Sequence, residues 1–558
     1  MTGGARSGGP MRVRWLGRVP YREALAVQQA LSDHGREQHL LLLEHDHVFT
    51  YGQHADLATN LRCDPAAVGA DFVAVNRGGD ITYHGPGQLV GYPILSIPNA
   101  KGSLRHVVSV EALLIDALAE LGLPGAGRLR GYPGVWVDAD RDNPRKIAAI
   151  GVRLARGRTM HGFALNVTTD MRYMREHIVA CGIGDRPVTS LAEEGIDVPM
   201  SRVVDVVARL AAKRWGGDEC ERQDVAWYHR PDDLVPFSRG AGPGETVTYR
   251  PRSHVRLEQA GVTGGLSIES RKPEWLRPKV RLGPEVLELK RSVRELGLVT
   301  VCEDAGCPNL SECWSDGTAT LMVLGDRCTR ACGFCLVDTR KPLPPAADEP
   351  ARVAEAVRRM DLDHAVLTMV ARDDLPDGGM GHVARCVEAI RAARPGTAVE
   401  TLISDAKGVL ASLAPLFDVR PDVLNHNLET VARLQRAVRP SAGYARSLSV
   451  LAHAKAAGLV TKSGIMVGLG ETDREIEGAL ADLAGIGCDI VTIGQYLRPT
   501  THHLPVARWA EPSAFERWKS IGEELGIGHV EASPLTRSSY HAKAAAAVVP
   551  AVPVAISV

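Results

Sequence analysis

The chain reads as α/β in two domains: one in which short β-type runs alternate with helices, then a partial parallel barrel of six strand–helix units. Three observations carry this. At 558 residues the chain is well beyond the ~100–200 residues of one common domain. From Met11 to about Arg230 short β-type runs alternate with amphipathic helices, whereas after Lys272 strand and helix repeat in turn. Between about Pro231 and Ser270 the pattern dissolves into Gly, Pro, Thr and charge, so a flexible linker is expected there. The expected bounds are therefore 11–230, 231–270 and 271–542, with 543–558 as a disordered or surface-packed tail.

Each element follows from its pattern. In the first domain LLLLEHDHVFTYG, DFVAVNRGG, YPILSI, GVWVDA, KIAAIGVRL and HGFALNV read as strands, and VSVEALLIDALAELG as a helix with a 3.6-residue stripe. In the second, the strands are TATLMVLG, HAVLTMV, AVETLI, DVLNHN, LVTKSGIMVGLG and DIVTIGQYL, with amphipathic helices between them. Six such units imply an open parallel barrel, since eight would close it. Chemistry in such barrels sits on the loops after the strands. Here those loops carry a cysteine set, Arg372-Asp373-Asp374, Ser404-Asp405, His426-Asn427, Gly470-Glu471 and Arg498-Pro499.

A net charge of −1 and a pI near 7 give no electrostatic case for nucleic acid or membrane as a partner. The opening MTGGARSGGP lacks the apolar core of a signal peptide, and Met11 is an alternative start. The apolar tail is short for a membrane span and broken by Pro550 and Pro553. Eleven cysteines, clustered as ligands, point to a reducing cytoplasm.

Six of those cysteines fall between Cys302 and Cys335. Cys328, Cys332 and Cys335 have C-x3-C-x2-C spacing, which suits three thiolates on three irons of a [4Fe–4S] cube. The fourth iron is then open to the amino and carboxylate groups of S-adenosylmethionine (SAM), as in radical SAM enzymes. Cys302, Cys307 and Cys313 read C-x4-C-x5-C and suit a second cluster. Structural zinc is the alternative for each set, although zinc usually closes with a fourth Cys or His at short spacing. Cys386 and Cys488 read as buried hydrophobes.

With CPNLSECW, GTATLMVLGDRCTRACGFC, RPTTHHLPV and RSSYHA, the region from about Arg271 to Ala542 resembles lipoyl synthase. The resemblance implies insertion of two sulfurs, at C6 and C8, into a protein-bound octanoyl chain. It implies that the cluster on Cys328, Cys332 and Cys335 reduces SAM to a 5′-deoxyadenosyl radical, and that the cluster on Cys302, Cys307 and Cys313 is consumed as sulfur donor. A serine of RSSY, Ser539 rather than Ser538, is implied as its weak fourth ligand. Asp373, Asp374, Asn425, Asn427, Glu471 and Arg498 are candidates for the SAM and octanoyl pocket. LISDAKG and ASPLTRSSY depart from the usual wording of that family.

In the first half, RGGDITYHGPGQLVGYP carries a Gly-rich turn and an exposed-looking Tyr83-His84-Gly85 run. KIAAIGVR, HGFALNV and IVACGIGDRPVTSL follow, the last placing Cys181 before a glycine. These words resemble lipoyl(octanoyl) transferase over roughly Arg14 to Tyr228, which implies the biotin/lipoate-ligase-like fold, a mixed α/β sheet domain. Carried over, Cys181 is the nucleophile, Lys146 its activator, and Lys146 or His161 the base for the incoming amine. Arg77, Gly78, Gly79, Asp80, Ile81, Thr82, Tyr83 and His84 would shape the mouth of an acyl tunnel. Ala149, Ile150, Gly151, Gly162, Phe163 and Ala164 would line its wall.

Together the resemblances imply a bifunctional enzyme of lipoyl biosynthesis. Its expected cofactors are two [4Fe–4S] clusters, with SAM as cosubstrate. Its expected partners are octanoyl-acyl carrier protein, lipoyl carrier domains of 2-oxoacid dehydrogenase complexes, the glycine cleavage H protein, and flavodoxin or ferredoxin. The rival reading joins an ATP-dependent lipoate-ligase-like domain to a radical SAM sulfurtransferase.

Overall fold

The computed structural model describes residues 10–97, 102–216, 220–227, 252–277, 291, 295–300, 309–315 and 317–548. The chain divides into two compact units, Met1–Trp227 and Tyr228–Val558. No helix among the described residues is long and apolar enough to cross a membrane.

The first unit is built on strands β1 (Met11–Arg18), β2 (His39–Glu44), β3 (Val48–Tyr51), β4 (Asp71–Ala74), β5 (Thr82–His84), β6 (Gln88–Ile94), β7 (Ala126–Leu129), β8 (Tyr132–Val137), β9 (Arg145–Ala155), β10 (Arg158–Asn166) and β11 (Cys220–Asp224). Eight form a mixed sheet in the order β11-β1-β2-β6-β10-β9-β8-β7, and β4-β3-β5 form a second, small sheet. In the large sheet β1 pairs in parallel with β11 and β2 and the other pairs are antiparallel; in the small sheet β3 runs parallel to β4 and antiparallel to β5. Helices Gly102–Glu120 and Met200–Ala211 share a core with the large sheet. Their stripes, Val110, Leu113, Leu114, Ala117 and Val203, Val204, Val207, Ala211, recur at helical spacing and meet Leu40, Leu42, Leu89 and Leu165.

The run LLLLEHDHVFTYG, expected as one strand, is two strands in different sheets. The polar EHDH insert turns the chain. His45 is buried there, with Nδ1 2.7 Å from Val19 O and Nε2 2.7 Å from the Tyr92 hydroxyl. Glycine lets β6 and β10 close up: a Cβ on Gly91 would run into the Phe163 ring.

The second unit has β12 (Val299–Thr300), β13 (Thr318–Val323), β14 (His364–Met369), β15 (Ala398–Leu402), β16 (Val423–Asn425), β17 (Thr461–Val467), β18 (Ile490–Gln495) and β19 (His529–Ala532), adjacent in that order in one sheet. β13 to β19 are all parallel, and β12 pairs antiparallel at one edge. β13 to β18 are the six expected strands. β19 is a seventh, outside that reading, because HVEA is short and half polar. Helices Glu349–Arg359, Met380–Ala393 and Leu410–Asp418 cover the strands through Val353, Val357, Val383, Val387, Leu413 and Leu416. Inside, Glu400 accepts from Lys462 Nζ at 3.0 and 3.1 Å and from Asn425 Nδ2 at 2.8 Å.

Helix Arg252–Gln259 lies within the stretch expected as linker. It belongs to the second unit, where His254 Nε2 is 3.2 Å from His503 O and Leu266 N–H donates to Val506 O at 2.7 Å. In the expected tail, helix Ala542–Val548 buries Ala545 against Val423, Val460 and Ile490.

Candidate active sites

In the first unit, β9, β10, the 77–84 segment and the turn at Cys181 converge on a cavity of about 340 Å³. Val90, Ala149, Ile150, Phe163, Ala164 and Ile183 give it apolar walls. Cys181, Lys146, Arg77, His84, His161, Tyr21, Tyr92 and Tyr132 line it with polar groups. Cys181 sits on a short turn, Ala180–Gly182, at φ 58° and ψ 21°, a left-handed conformation uncommon for a residue with a Cβ. The elbow is tied down. Cys181 N–H donates to Ile81 O at 2.7 Å, and Val179 N–H to Asn60 O at 2.8 Å. Asn60 Nδ2 in turn donates to the Asp80 carboxylate at 2.9 Å.

Lys146 is buried near the start of β9. Its backbone N–H donates to Pro187 O and its carbonyl accepts from Thr189 N–H, both at 2.9 Å, and its Nζ stands 5.5 Å from the Trp136 ring centre. Arg77 donates through Nη1 to Gly78 O and Asp80 O, and through Nη2 to Thr50 O and Thr50 Oγ1. His161 has Nε2 3.1 Å from Asn76 Oδ1. Burial, aided by Arg77 and Arg153, lowers its pKa to about 4. Burial likewise lowers His84 to about 3.

The cavity brings together Arg77, Gly78, Gly79, Asp80, Thr82, His84, Lys146, Ala149, Ile150, Gly151, His161, Gly162, Phe163, Ala164 and Cys181. Ile81 and Tyr83 are not among its lining residues. Strand alternation sends them to the other face, where Tyr83 stacks on Tyr173 at 4.7 Å and its hydroxyl meets His47 Nδ1 at 2.7 Å. The Tyr83-His84-Gly85 run is therefore buried, against its exposed look in sequence. Tyr21, Tyr92 and Tyr132 were missed as cavity residues; Tyr92 lay inside a quoted motif, whereas nothing in sequence ties Tyr21 or Tyr132 to it.

In the second unit the loop after β13 carries Cys328, Cys332 and Cys335 as half-buried free thiols. Thr329 N–H donates to Ala371 O at 3.0 Å, Gly333 N–H to Val438 O at 2.8 Å, and His503 Nε2 lies 3.0 Å from Cys335 O. Arg330, between the first two cysteines, forks onto Asp373 at 2.7 and 2.8 Å and reaches Asp405 at 2.6 Å. Burial pushes Cys332 up to about 12 and raises Cys335, and the charge of Cys328 adds to both. The three thiols thus lie within electrostatic reach of one another. Soft sulfur donors on one clamped loop fit an iron–sulfur cube, which takes one thiolate per iron. Among the described residues no group of three or more His, Cys, Asp or Glu is placed to hold a single metal ion.

Cys302 and Cys307 lie outside the described residues. Cys313 is on helix Leu310–Ser315, and the segment with Ser539 meets that helix: Tyr540 Oη donates to Glu312 Oε1 at 3.2 Å. Ser538 instead accepts from Asn427 Nδ2 at 2.7 Å. The remaining pocket candidates have protein partners. Asp373 holds Arg330, Asp374 pairs with Arg372, Asn425 donates to Glu400, Glu471 accepts from Gly468 and Leu469 N–H, and Arg498 donates to His503 O. Cys386 and Cys488 are buried.

The lipoyl protein ligase A/B catalytic domain family matches residues 20–211, and the radical SAM superfamily matches 322–483. A lipoyl synthase of Mycolicibacterium paratuberculosis is 52% identical over 297 residues, 53% of this chain and 96% of the relative. One from Rubrobacter xylanophilus is 54% identical over 318 residues, 57% and 94% of the two chains. Among solved structures, a bi-partite lipoate protein ligase from Thermoplasma acidophilum is 19% identical with a TM-score of 0.33, covering 39% of this chain and 88% of that chain.

Proposed function

The chain belongs to the lipoyl synthase family, and from that premise we propose that it assembles the lipoyl cofactor in two stages in the cytoplasm. The first unit moves an octanoyl group from octanoyl-acyl carrier protein, through an acyl-Cys181 enzyme, to a lysine of a lipoyl carrier domain. The second unit then inserts sulfur at C6 and C8. The carriers are domains of 2-oxoacid dehydrogenase complexes and the glycine cleavage H protein, with flavodoxin or ferredoxin as electron donor.

One observation carries the first stage: Cys181 and Lys146 share a largely apolar cavity of about 340 Å³, within the size range of small-molecule sites. Cys181 sulfur bonds to the acyl carbon while the donor's carbon–sulfur bond breaks. Lys146 Nζ takes the thiol proton and returns it to the departing sulfur. In the second half-reaction the carrier lysine amine attacks, Lys146 receives its proton, and Cys181 leaves. His161, with its pKa near 4 and its Nε2 on Asn76, is the poorer base.

Cys328, Cys332 and Cys335 would hold a [4Fe–4S] cluster that, with SAM, supplies one-electron chemistry against unactivated C–H bonds. The chain's part is to fix that loop through Arg330, Thr329, Gly333 and His503. The sulfur substrate is a second [4Fe–4S] cluster on Cys302, Cys307, Cys313 and Ser539, and the Tyr540–Glu312 contact beside Cys313 supports it.

Acyl transfer to a lipoyl domain from the octanoyl thioester, with ATP absent, tests the first stage. The wild-type chain should transfer and Cys181→Ser should not. A strict need for ATP would favour the ligase-like reading instead.

A further inference from the structure

Acyl transfer through Cys181 needs both positive charge beside the thiolate and a group that takes up and returns protons. A fixed cation stabilises the thiolate whatever the protonation state of the base, whereas an amine that shuttles the proton supplies positive charge only while it is protonated. In the proposed transfer Lys146 carries the proton. The cavity holds another cation, Arg77, whose guanidinium is charged at any working pH.

Arg77 and Cys181 line the same cavity, and the Arg77 guanidinium is tied to the Cys181 backbone through a short path. Arg77 Nη1 donates to Asp80 O at 2.8 Å, and the next carbonyl, Ile81 O, accepts the Cys181 N–H at 2.7 Å. β9 closes on the arginine from the other side, since a Cβ on Gly151 would stand 3.1 Å from Arg77 Cδ. The four bonds of the guanidinium go to carbonyls and a hydroxyl, so its charge is oriented without being neutralised.

The other groups facing this corner leave the role to Arg77. His84 and His161, with pKa values of about 3 and about 4, are neutral near pH 7. Burial pushes Tyr21 up to about 12 and raises Tyr92, so both stay neutral phenols. Tyr132 donates to Asp185, and Arg186 packs 5.9 Å from the Tyr132 ring. Asp80 is the acid beside the elbow, and its carboxylate is taken up by Asn60 Nδ2 and the N–H groups of Ile81 and Asp56.

We infer that Arg77 is the fixed counter-charge of the Cys181 thiolate, a positioning residue that frees Lys146 to carry the proton. The inference deepens the acyl-transfer reading of the cavity. The thiol proton passes to Lys146 Nζ, the thiolate is held opposite the guanidinium until its sulfur bonds the acyl carbon, and the departing thiolate takes the proton back. Arg77 remains charged throughout.

The test needs no acyl donor: the rate at which iodoacetamide alkylates Cys181 in the full chain is followed against pH by peptide mass analysis. Arg77→Met should move the midpoint up by about one pH unit, slowing alkylation at pH 7 about tenfold. Arg77→Lys, which keeps the charge, should restore most of that rate. No shift in Arg77→Met, or equal shifts in both variants, overturns the inference. Should Arg77→Met fail to fold, the Lys146→Met chain decides. There, anionic iodoacetate should gain on neutral iodoacetamide at Cys181 relative to free cysteine, and an unchanged ratio overturns the inference. Failure of the acyl-transfer reading looks different: no acyl-Cys181 forms from thioester while the alkylation profile stays as expected.

Discussion

Lys146 and His161 line one cavity, yet their surroundings suit them to different work. His161 is buried and bonded to Asn76, so it resists protonation, while Lys146 keeps its amine beside Trp136. Lys146→Met should lower the initial rate of transfer about 100-fold or more, and His161→Asn less than about tenfold. Equal losses would hand the base's role to His161. Burial also keeps His39 near 3 and His45 near 4, well below the ~6.5 of an unfolded chain. As pH falls, the unfolded chain therefore binds protons first. Stability is intact above about 6.5 and declines from there towards about 3. The urea midpoint of the first unit should drop between pH 7 and pH 5, and a flat profile would contradict this. Much of the site was legible as motif words, because glycine turns and a Cys-Gly pair are local features. Tyr83 was misjudged because only strand alternation decides which neighbour reaches the cavity. Tyr21 and Tyr132 arrive from a helix and a strand distant in sequence.

Among elements, the loop after β13 and the strands beneath it carry most of the second unit's polar structure. Arg330 joins that loop to the ends of β14 and β15 through Asp373 and Asp405. Arg330→Met should weaken iron–sulfur binding about 10–100-fold, as loss of an outer support does at metal sites. Wild-type iron content and absorption after reconstitution at limiting iron would contradict that. Lower in the barrel, Glu400 and Lys462 are almost wholly buried as a pair, and against the opposing effect of burial Lys462, then His364 and Asn425, bring the Glu400 carboxyl down to about 2. Removing one partner leaves a buried charge, so Lys462→Met should cost about 3–5 kcal/mol in a denaturant titration. The double variant with Glu400→Gln should recover most of that cost. The six main strands were readable because parallel strands covered on both faces are continuous apolar runs. β19 escaped as a four-residue stretch with two polar side chains, and β2 with β3 merged because apolar runs flank the polar EHDH turn, which tertiary bonds to His45 fix.

Across the whole molecule, two sites of different chemistry sit on one chain, and in the proposed function the product of the first is the substrate of the second. Joining the two sites on one chain can hold a shared carrier at around millimolar local concentration. Cutting the chain between residues 231 and 250 should slow the coupled reaction at low carrier concentration while leaving each half active. Equal coupled rates would remove the advantage of the fusion. The most direct measurement is anaerobic and uses the reconstituted full chain with octanoyl-acyl carrier protein, a lipoyl domain, SAM and reductant. Mass analysis of the lipoyl domain should show an octanoyl adduct that then gains two sulfurs, with Cys181→Ser blocking the adduct and Cys328→Ala blocking only the sulfurs. An adduct that forms without Cys181, or one that never gains sulfur in the wild-type chain, would contradict the account.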